Sequence, residues 1–299
     1  MKRNLERTTG LFAFVRTVEA GSFSAAARLA GTTPSAVSKN VERLERRLGV
    51  KLFLRSTRSL SLTVEGMAYH ERVAPLLRAL EDADEVLAGA GQAYGLLKAT
   101  IPGILGPTLI DALTSAFVAR YPEIKLEISI SDRHVDLVRE GYDVALRAGG
   151  SGEGDWIARP LGCLPLVLVA SPTYLDRAGQ PGSIAELGRG AHIRYLLGAR
   201  AYPIRFANGE TLIPDGVFDT DSGLAMRTAA LNGVGIAQLL RIAVEPDLQS
   251  GRLVEVMPQE PLAPVPMTAL HAFGRVAPLR VRLFTDFIAE TLAARDLKR

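Results

Sequence analysis

Residues 22–63, SFSAAARLAGTTPSAVSKNVERLERRLGVKLFLRSTRSLSLT, leave this chain few choices, because a short helix, a tight turn, a second helix and a basic hairpin follow one another without slack. The pattern is that of a winged helix-turn-helix. Thr33 is placed as N-cap and Pro34 as the first helical residue, where a missing N–H costs nothing. From that start Val37, Val41, Leu44 and Leu48 recur at helical spacing as one apolar stripe. Ser35, Lys39, Glu42 and Arg46 fall opposite, with Ser38 and Arg43 flanking. The preceding helix, expected over 23–30, ends at Gly31, and its Ala25, Ala26 and Ala27 permit close helix–helix approach. Past Gly49, Leu52, Leu60 and Leu62 face the core while Arg55 and Arg58 sit in a polar turn, as a wing does. Upstream, Leu11, Phe14, Val15 and Val18 mark the inner face of a first helix, completing a three-helix core.

The N-terminal end of the second helix is short, polar and basic, which suits entry into a major groove about 12 Å wide. The residues placed to reach base edges are Ser35, Ser38, Lys39, Glu42 and Arg43; those placed to meet phosphates are Ser22, Ser24, Arg28, Thr33, Arg55, Thr57 and Arg58. Glu42 reads in two ways, accepting from a cytosine amine or rejecting other bases. A small helical bundle with a charged surface would share the spacing, so charge decides. Residues 1–63 hold 12 Lys and Arg against 4 Glu, a net +8, and the remaining 23 basic and 28 acidic residues give −5. Positive charge gathered at one end is what counterion release on double-stranded DNA requires.

Residues 18–66, VEAGSFSAAARLAGTTPSAVSKNVERLERRLGVKLFLRSTRSLSLTVEG, resemble without a gap the DNA-binding end of LysR-type transcriptional regulators. ARPLG at 158–162, ASPTYL at 170–175 and LNGVGIAQL at 231–239 resemble the same family more loosely. A long helix is expected over 64–90, with Val73, Leu76, Leu77, Leu80, Ala83, Leu87 and Ala90 on one side. Such a stripe needs a partner, either the same chain or a second copy; two DNA half-sites about one helical turn apart favour a second copy. The resemblance implies the same, a homodimer through this helix and often a homotetramer.

Gly89, Gly91 and Gly95 then interrupt the chain, and strand and helix patterns alternate. Strands are expected over 96–101, 124–130, 143–147, 164–170, 192–196 and 265–271, and helices over 107–121, 133–140, 222–231 and 278–295, an α/β architecture. The fold class is therefore multidomain, a mainly α winged helix-turn-helix followed by an α/β domain. The resemblance implies a periplasmic-binding-protein-like effector domain of two subdomains. The domains run 1–63 (DNA-binding), 64–91 (linker and dimerisation helix) and 92–299 (effector-binding). Within the last, the first subdomain covers about 95–162 with 267–295, and the second about 163–266.

The resemblance also implies an unidentified small-molecule effector in the cleft, lined by Thr100, Pro102, Gly103, Ile104, Asp132, Arg147, Phe206 and Ser222. Arg147 reads equally as the partner of an anionic effector or as a strand-end arginine satisfied by Asp143 or a carbonyl. Ser222 after Asp221 reads first as a helix N-cap, and GVG at 233–235 as a helix C-cap leading into a strand. Gly, Ile, Leu and Gly occupy 103–106, where relatives commonly present a hydroxyl to the ligand.

Other classes fall away on what is missing. His70, His134, His192 and His271 have no metal-ligand spacing, the single Cys163 sits in an apolar setting, and no Gly-rich phosphate loop follows a strand with a helical Lys-Ser/Thr. No enzyme, metal or cofactor is expected. No basic-then-apolar leader and no run of about 18 apolar residues occurs, so a soluble cytoplasmic protein is expected. Cys163 is alone in LGCLPL and reads as a buried or incidental thiol.

Overall fold

The computed structural model describes residues 2–55, 60–87, 93–150, 154, 156–198, 200–273 and 276–296. The chain divides into two compact units, Met1–Gly91 with Asp136–Gly141, and Gln92–Val135 with Tyr142–Arg299.

The first unit is built from α1 (Lys2–Ala20), α2 (Phe23–Leu29), α3 (Pro34–Leu48), the antiparallel hairpin β1 (Phe53–Arg55) and β2 (Leu60–Leu62), and α4 (Val64–Leu87). Thr33 caps α3, its hydroxyl accepting the Ala36 N–H at 3.3 Å, with Pro34 in the first turn. The helix ends where Gly49 turns left-handed. Phe14, Val41, Leu44 and Leu52 are fully buried around an edge-to-face contact between Phe14 and Phe53; each such side chain contributes about 1.5–3 kcal/mol. Ala26, Ala27 and Val37 form a second small core between α2 and α3. One core member escapes the spacing argument. Glu45, 3% exposed, accepts hydrogen bonds from the N–H groups of Leu52 (2.9 Å) and Phe53 (3.2 Å) and from Lys51 Nζ (2.9 Å), tying α3 to the root of the wing.

The stripe expected on α4 splits in two. Val73, Ala74 and Leu77 pack into the first unit's core, whereas Leu76 (70% exposed) and Leu80 (49%) face outward. The side chains of Ala83 and Leu87 and the whole of Ala90 lie outside the described residues, as do Gly89 and Gly91. The start of α4 is anchored by Thr63, whose hydroxyl accepts the Gly66 N–H and donates to the Lys51 carbonyl.

The second unit has two sheets. In the first, β3 (Gly95–Ile101), β4 (Ile124–Ile130), β5 (Val144–Ala148) and β6 (Ile157–Leu164) are joined by β15 (Val265–His271), in the order β4-β3-β5-β15-β6. In the second, β7 (Leu166–Ala170), β8 (His192–Leu197), β12 (Gly216–Thr220), β13 (Ile236–Leu240) and β14 (Val254–Glu255) run in the order β12-β8-β13-β7-β14. The short β9 (Arg200–Ala201) pairs with β8, and β10 (Ile204–Arg205) pairs with β11 (Thr211–Leu212). Around the first sheet lie α5 (Gly106–Ala112), continued through a π-turn at Leu113–Phe117 into α6 (Val118–Arg120), and the C-terminal α12 (Leu279–Asp296), while the short α7 (Leu137–Glu140) belongs to the first unit. Accompanying the second are α8 (Pro172–Ala178), α9 (Ile184–Leu187), α10 (Gly223–Leu231) and α11 (Arg241–Gln249).

The chain passes between these two lobes twice. Pro165 alone separates β6 from β7, and the return enters β15 at Val265, which pairs with Leu164. The two passages are hydrogen-bonded neighbours.

Three expectations are corrected here. The strand expected over 164–170 is two strands broken at Pro165, and β6 is hidden in the sequence because Pro160 and Gly162 interrupt its pattern. As an edge strand it tolerates both, with Gly162 at φ 112° beside a register shift in β15. The helix expected over 133–140 shrinks to Leu137–Glu140, because Asp136 caps it and the Ser131 hydroxyl accepts the Arg133 N–H, a local turn that competes with helix. Of the two readings of Cys163 the buried one is corrected, since the residue is exposed on β6.

Candidate functional site

Two surfaces follow from this fold, one in each unit. On the first unit, α3 buries Val37, Val41 and Leu44, so the opposite side is left to solvent. Ser35, Lys39 and Arg43 are exposed there, and Ser38 and Glu42 half-buried. The Ser35 hydroxyl stands 3.1 Å from that of Thr33, which is itself exposed. Ser22 is committed to capping α2, accepting the Ala25 N–H at 3.1 Å, while Ser24 and Arg28 are exposed. Arg55 is described only as the last residue of β1, and Thr57 and Arg58 lie outside the described residues.

In the second unit a cavity of about 140 Å³ opens between the lobes. Of the residues expected to line it, Pro102, Ile104, Asp132 and Arg147 do so. Gly103 is not itself among the lining residues but stands behind one of them, its N–H donating to Asp132 Oδ1 at 2.8 Å. The N–H of Gly223, first residue of α10, also favours the charged form of that carboxylate. Gly223 itself is required by space: a Cβ there would stand 2.8 Å from Ile104 Cβ.

Three other expected lining residues are elsewhere. Phe206, 2% exposed, belongs to the second lobe's core with Leu168, Tyr174 and Leu187, where an apolar ring gains more than at a wet cleft. Thr100 is fully buried in the middle of the first sheet, and its hydroxyl has no hydrogen-bond partner. Ser222 is the N-cap of α10, accepting the Ala225 N–H at 3.4 Å. The remaining lining comes from β8 along most of its length, from β13 and its surroundings, and from residues 148–150 of the first lobe, and includes His192, Tyr195, Tyr202, Met226, Gln238 and Leu239. The strand pattern locates β8. Lining positions near its end, such as Tyr195, follow the rule that ligands meet α/β sheets at strand C-termini.

Burial governs the electrostatics. It pushes the Asp132 carboxyl above its ordinary range, and the Gly103 and Gly223 N–H groups and Arg147 offset this only in part. Burial likewise lowers Arg147, a 6%-exposed guanidinium whose terminal nitrogens donate to the carbonyls of Leu146 and Arg133, both at 2.7 Å. The carbonyl alternative for Arg147 is thus realised, yet the side chain still faces the cavity. Tyr195 is pushed up to about 12, by burial first and then by the negative charges of Asp132 and Asp221. Burial lowers His192, whose Nε2–H donates to the Leu187 carbonyl at 2.7 Å, so its ring is held neutral. Arg194 is bound by Asp219 through two hydrogen bonds of 2.7 and 2.6 Å. No group of three or more His, Cys, Asp or Glu side chains arranged to hold a metal occurs among the described residues.

A winged helix-turn-helix joined in one chain to a two-lobed α/β unit with a polar-edged cleft defines a DNA-binding regulator with a sensory domain. Comparison with known proteins agrees: residues 9–67 match the family model for the bacterial regulatory helix-turn-helix protein, lysR family, and residues 90–293 that for the LysR substrate binding domain. The chain belongs to the LysR family of transcriptional regulators. It is 36% identical over 282 residues to the uncharacterized HTH-type transcriptional regulator YhjC of Escherichia coli, covering 92% of this chain and 94% of that one. The solved structure of CrgA from Neisseria meningitidis, a LysR-type transcriptional regulator, matches with a TM-score of 0.61 and 33% identity, covering 95% and 98% of the two chains. The full-length Vibrio cholerae virulence activator AphB matches at 0.56 and 27%, covering 94% and 98%. No helix among the described residues is long and apolar enough to cross a membrane.

Proposed function

We propose that this LysR-family regulator works in the cytoplasm as a homodimer, or a homotetramer built from dimers, without catalysing a reaction. In this reading 1–63 bind DNA, 64–91 pair the copies, and 92–299 bind a small molecule between a lobe of about 95–162 with 267–295 and one of about 163–266. Ser35, Ser38, Lys39, Glu42 and Arg43 read base edges. Ser22, Ser24, Arg28, Thr33, Arg55, Thr57 and Arg58 hold phosphates. The observation that carries the reading is the solvent face of α3, polar and basic at the front of a segment of net +8 in a chain of net +3. Self-pairing is supported by the outward Leu76 and Leu80 one helical turn apart on α4. Occupancy of the cleft must favour one arrangement of the oligomer over another, or nothing reaches the DNA.

Titrations on operator and scrambled duplexes over a salt series test the assignment. Ser38→Ala or Lys39→Ala should weaken discrimination between the sequences. Arg55→Ala or Arg58→Ala should weaken binding to both and lower the salt slope by about one for each phosphate no longer held. Identical behaviour of the two groups would refute it.

A further inference from the structure

The cleft holds an unusual charge arrangement. Asp132 and Arg147 both face the one cavity, yet the guanidinium turns its terminal nitrogens to two carbonyls and makes no ion pair with a carboxylate among the described residues. Asp132 in turn is held by the Gly103 N–H at 2.8 Å, with the Gly223 N–H favouring its charged form. The backbone donors that would otherwise welcome an anion are therefore occupied by a carboxylate of the protein itself. An anion binding at Arg147 brings a second negative charge beside Asp132, and a cation binding at Asp132 brings a second positive charge beside Arg147. A ligand carrying both signs meets neither penalty and gives each buried group a direct opposite charge, beyond the attraction that Asp132 and Arg147 already exert on one another. The rest of the wall mixes apolar side chains, including Ile104, Leu166, Met226 and Leu239, with polar ones such as Tyr195 and Gln238 and with Arg194, which Asp219 already pairs; about 140 Å³ suits a small molecule with a short hydrocarbon or aromatic body.

We propose that the cleft takes a small zwitterion of the α-amino-acid class with an apolar or aromatic side chain, its ammonium group on Asp132 and its carboxylate on Arg147. This rests on the reading of the cleft as the effector site. The burial that raises Asp132 and lowers Arg147 supports it, since both shifts report charges short of solvation that a dipolar guest would restore.

Calorimetry on the full chain tests it without any variant. The probes are L-leucine, L-methionine and L-phenylalanine, with N-acetyl-L-leucine and 4-methylpentanoate lacking the cation and L-leucine methyl ester lacking the anion. At least one intact amino acid should bind, and removing either charge should weaken it about tenfold to a hundredfold, the value of one charge-assisted hydrogen bond. Asp132→Asn, nearly isosteric and still able to accept the Gly103 N–H, should weaken the amino acid by a similar factor while leaving 4-methylpentanoate unaffected or tighter. The proposal is overturned if 4-methylpentanoate or N-acetyl-L-leucine binds as well as the best amino acid, if none of the three amino acids binds, or if Asp132→Asn leaves their affinity unchanged. Salt-sensitive binding of the same protein to a duplex from upstream of its own gene separates the two layers. Where it persists, only the ligand class has failed; where it is lost, the regulator reading fails with it.

Discussion

Replacing Glu45 isolates the joint between α3 and the wing. Glu45→Ala strands the N–H groups of Leu52 and Phe53, both buried and both bonded to the same Glu45 Oε1, and releases Lys51 Nζ. Each stranded buried donor costs about 1–3 kcal/mol. The Lys51 pair adds at most about 1 kcal/mol, because the lysine side chain is 72% exposed. The expected loss is about 3–5 kcal/mol from the first unit. Glu45→Gln keeps an oxygen for both N–H groups and gives up only the charge, so about 1–2 kcal/mol is expected. Hydrogen exchange of the 45–55 peptide, read beside denaturation of the full chain at pH 7, measures both. A loss below about 1 kcal/mol for Ala, or equal losses for the two variants, would refute the assignment of Glu45 as the acceptor that holds the wing. Acid supplies a second check. Burial alone would raise this carboxyl, but Lys51 and the Leu52 and Phe53 N–H groups outweigh it and hold Glu45 below its ordinary value of 4.5. Its contribution is therefore complete above that value and lost as pH falls through the depressed one, and the Gln variant should lack this part of the acid response.

Three further outcomes follow from close packing elsewhere. Gly66→Ala would set a Cβ 2.0 Å from the Leu52 carbonyl oxygen, so α4 and the wing must part; a loss of roughly 3 kcal/mol or more in the first unit's melting is expected, and an unchanged melt would contradict it. Asp247 is fully buried, bonded to Arg227 at 2.6 and 2.9 Å and to Arg252 at 2.6 Å; Asp247→Ala should cost about 3–5 kcal/mol in denaturant titrations, because two cations lose their shared carboxylate. His192 is neutral in the folded chain and protonates more readily when unfolded, so unfolded chains bind the extra proton first. Stability should fall as pH drops below its ordinary value of 6.5, and His192→Gln should flatten that limb in denaturation curves between pH 7.5 and 5.

What was legible in the residues was local. The Thr33 and Pro34 start of α3, the Ser222 cap of α10 and the turn at Gly233 (φ 73°) leading to β13 are fixed by neighbours a few positions away, and each is present. β15 over Val265–His271 and β4 over Ile124–Ile130 occupy their expected spans, because apolar runs and alternation survive any tertiary context. What was illegible depended on distant partners. Glu45 sits at the rim of an apolar stripe, and only the hairpin's stranded N–H groups make its burial favourable. Phe206 and Thr100 were assigned to the cleft by likeness, but sheet order places one in a lobe's core and the other mid-sheet. His192, Tyr195, Gln238 and Leu239 meet only because β8 and β13 are neighbours in the second sheet, an adjacency that no spacing in the chain records.

Pro165 and the Leu164–Val265 pairing set how the lobes can move. With two backbone passages among the described residues, laced side by side by the Leu164–Val265 pair, the joint has the form of a hinge, on which the lobes are expected to swing like covers on a spine rather than slide. In that geometry the quantity a guest in the cleft would set is the angle at which it props or shuts the covers.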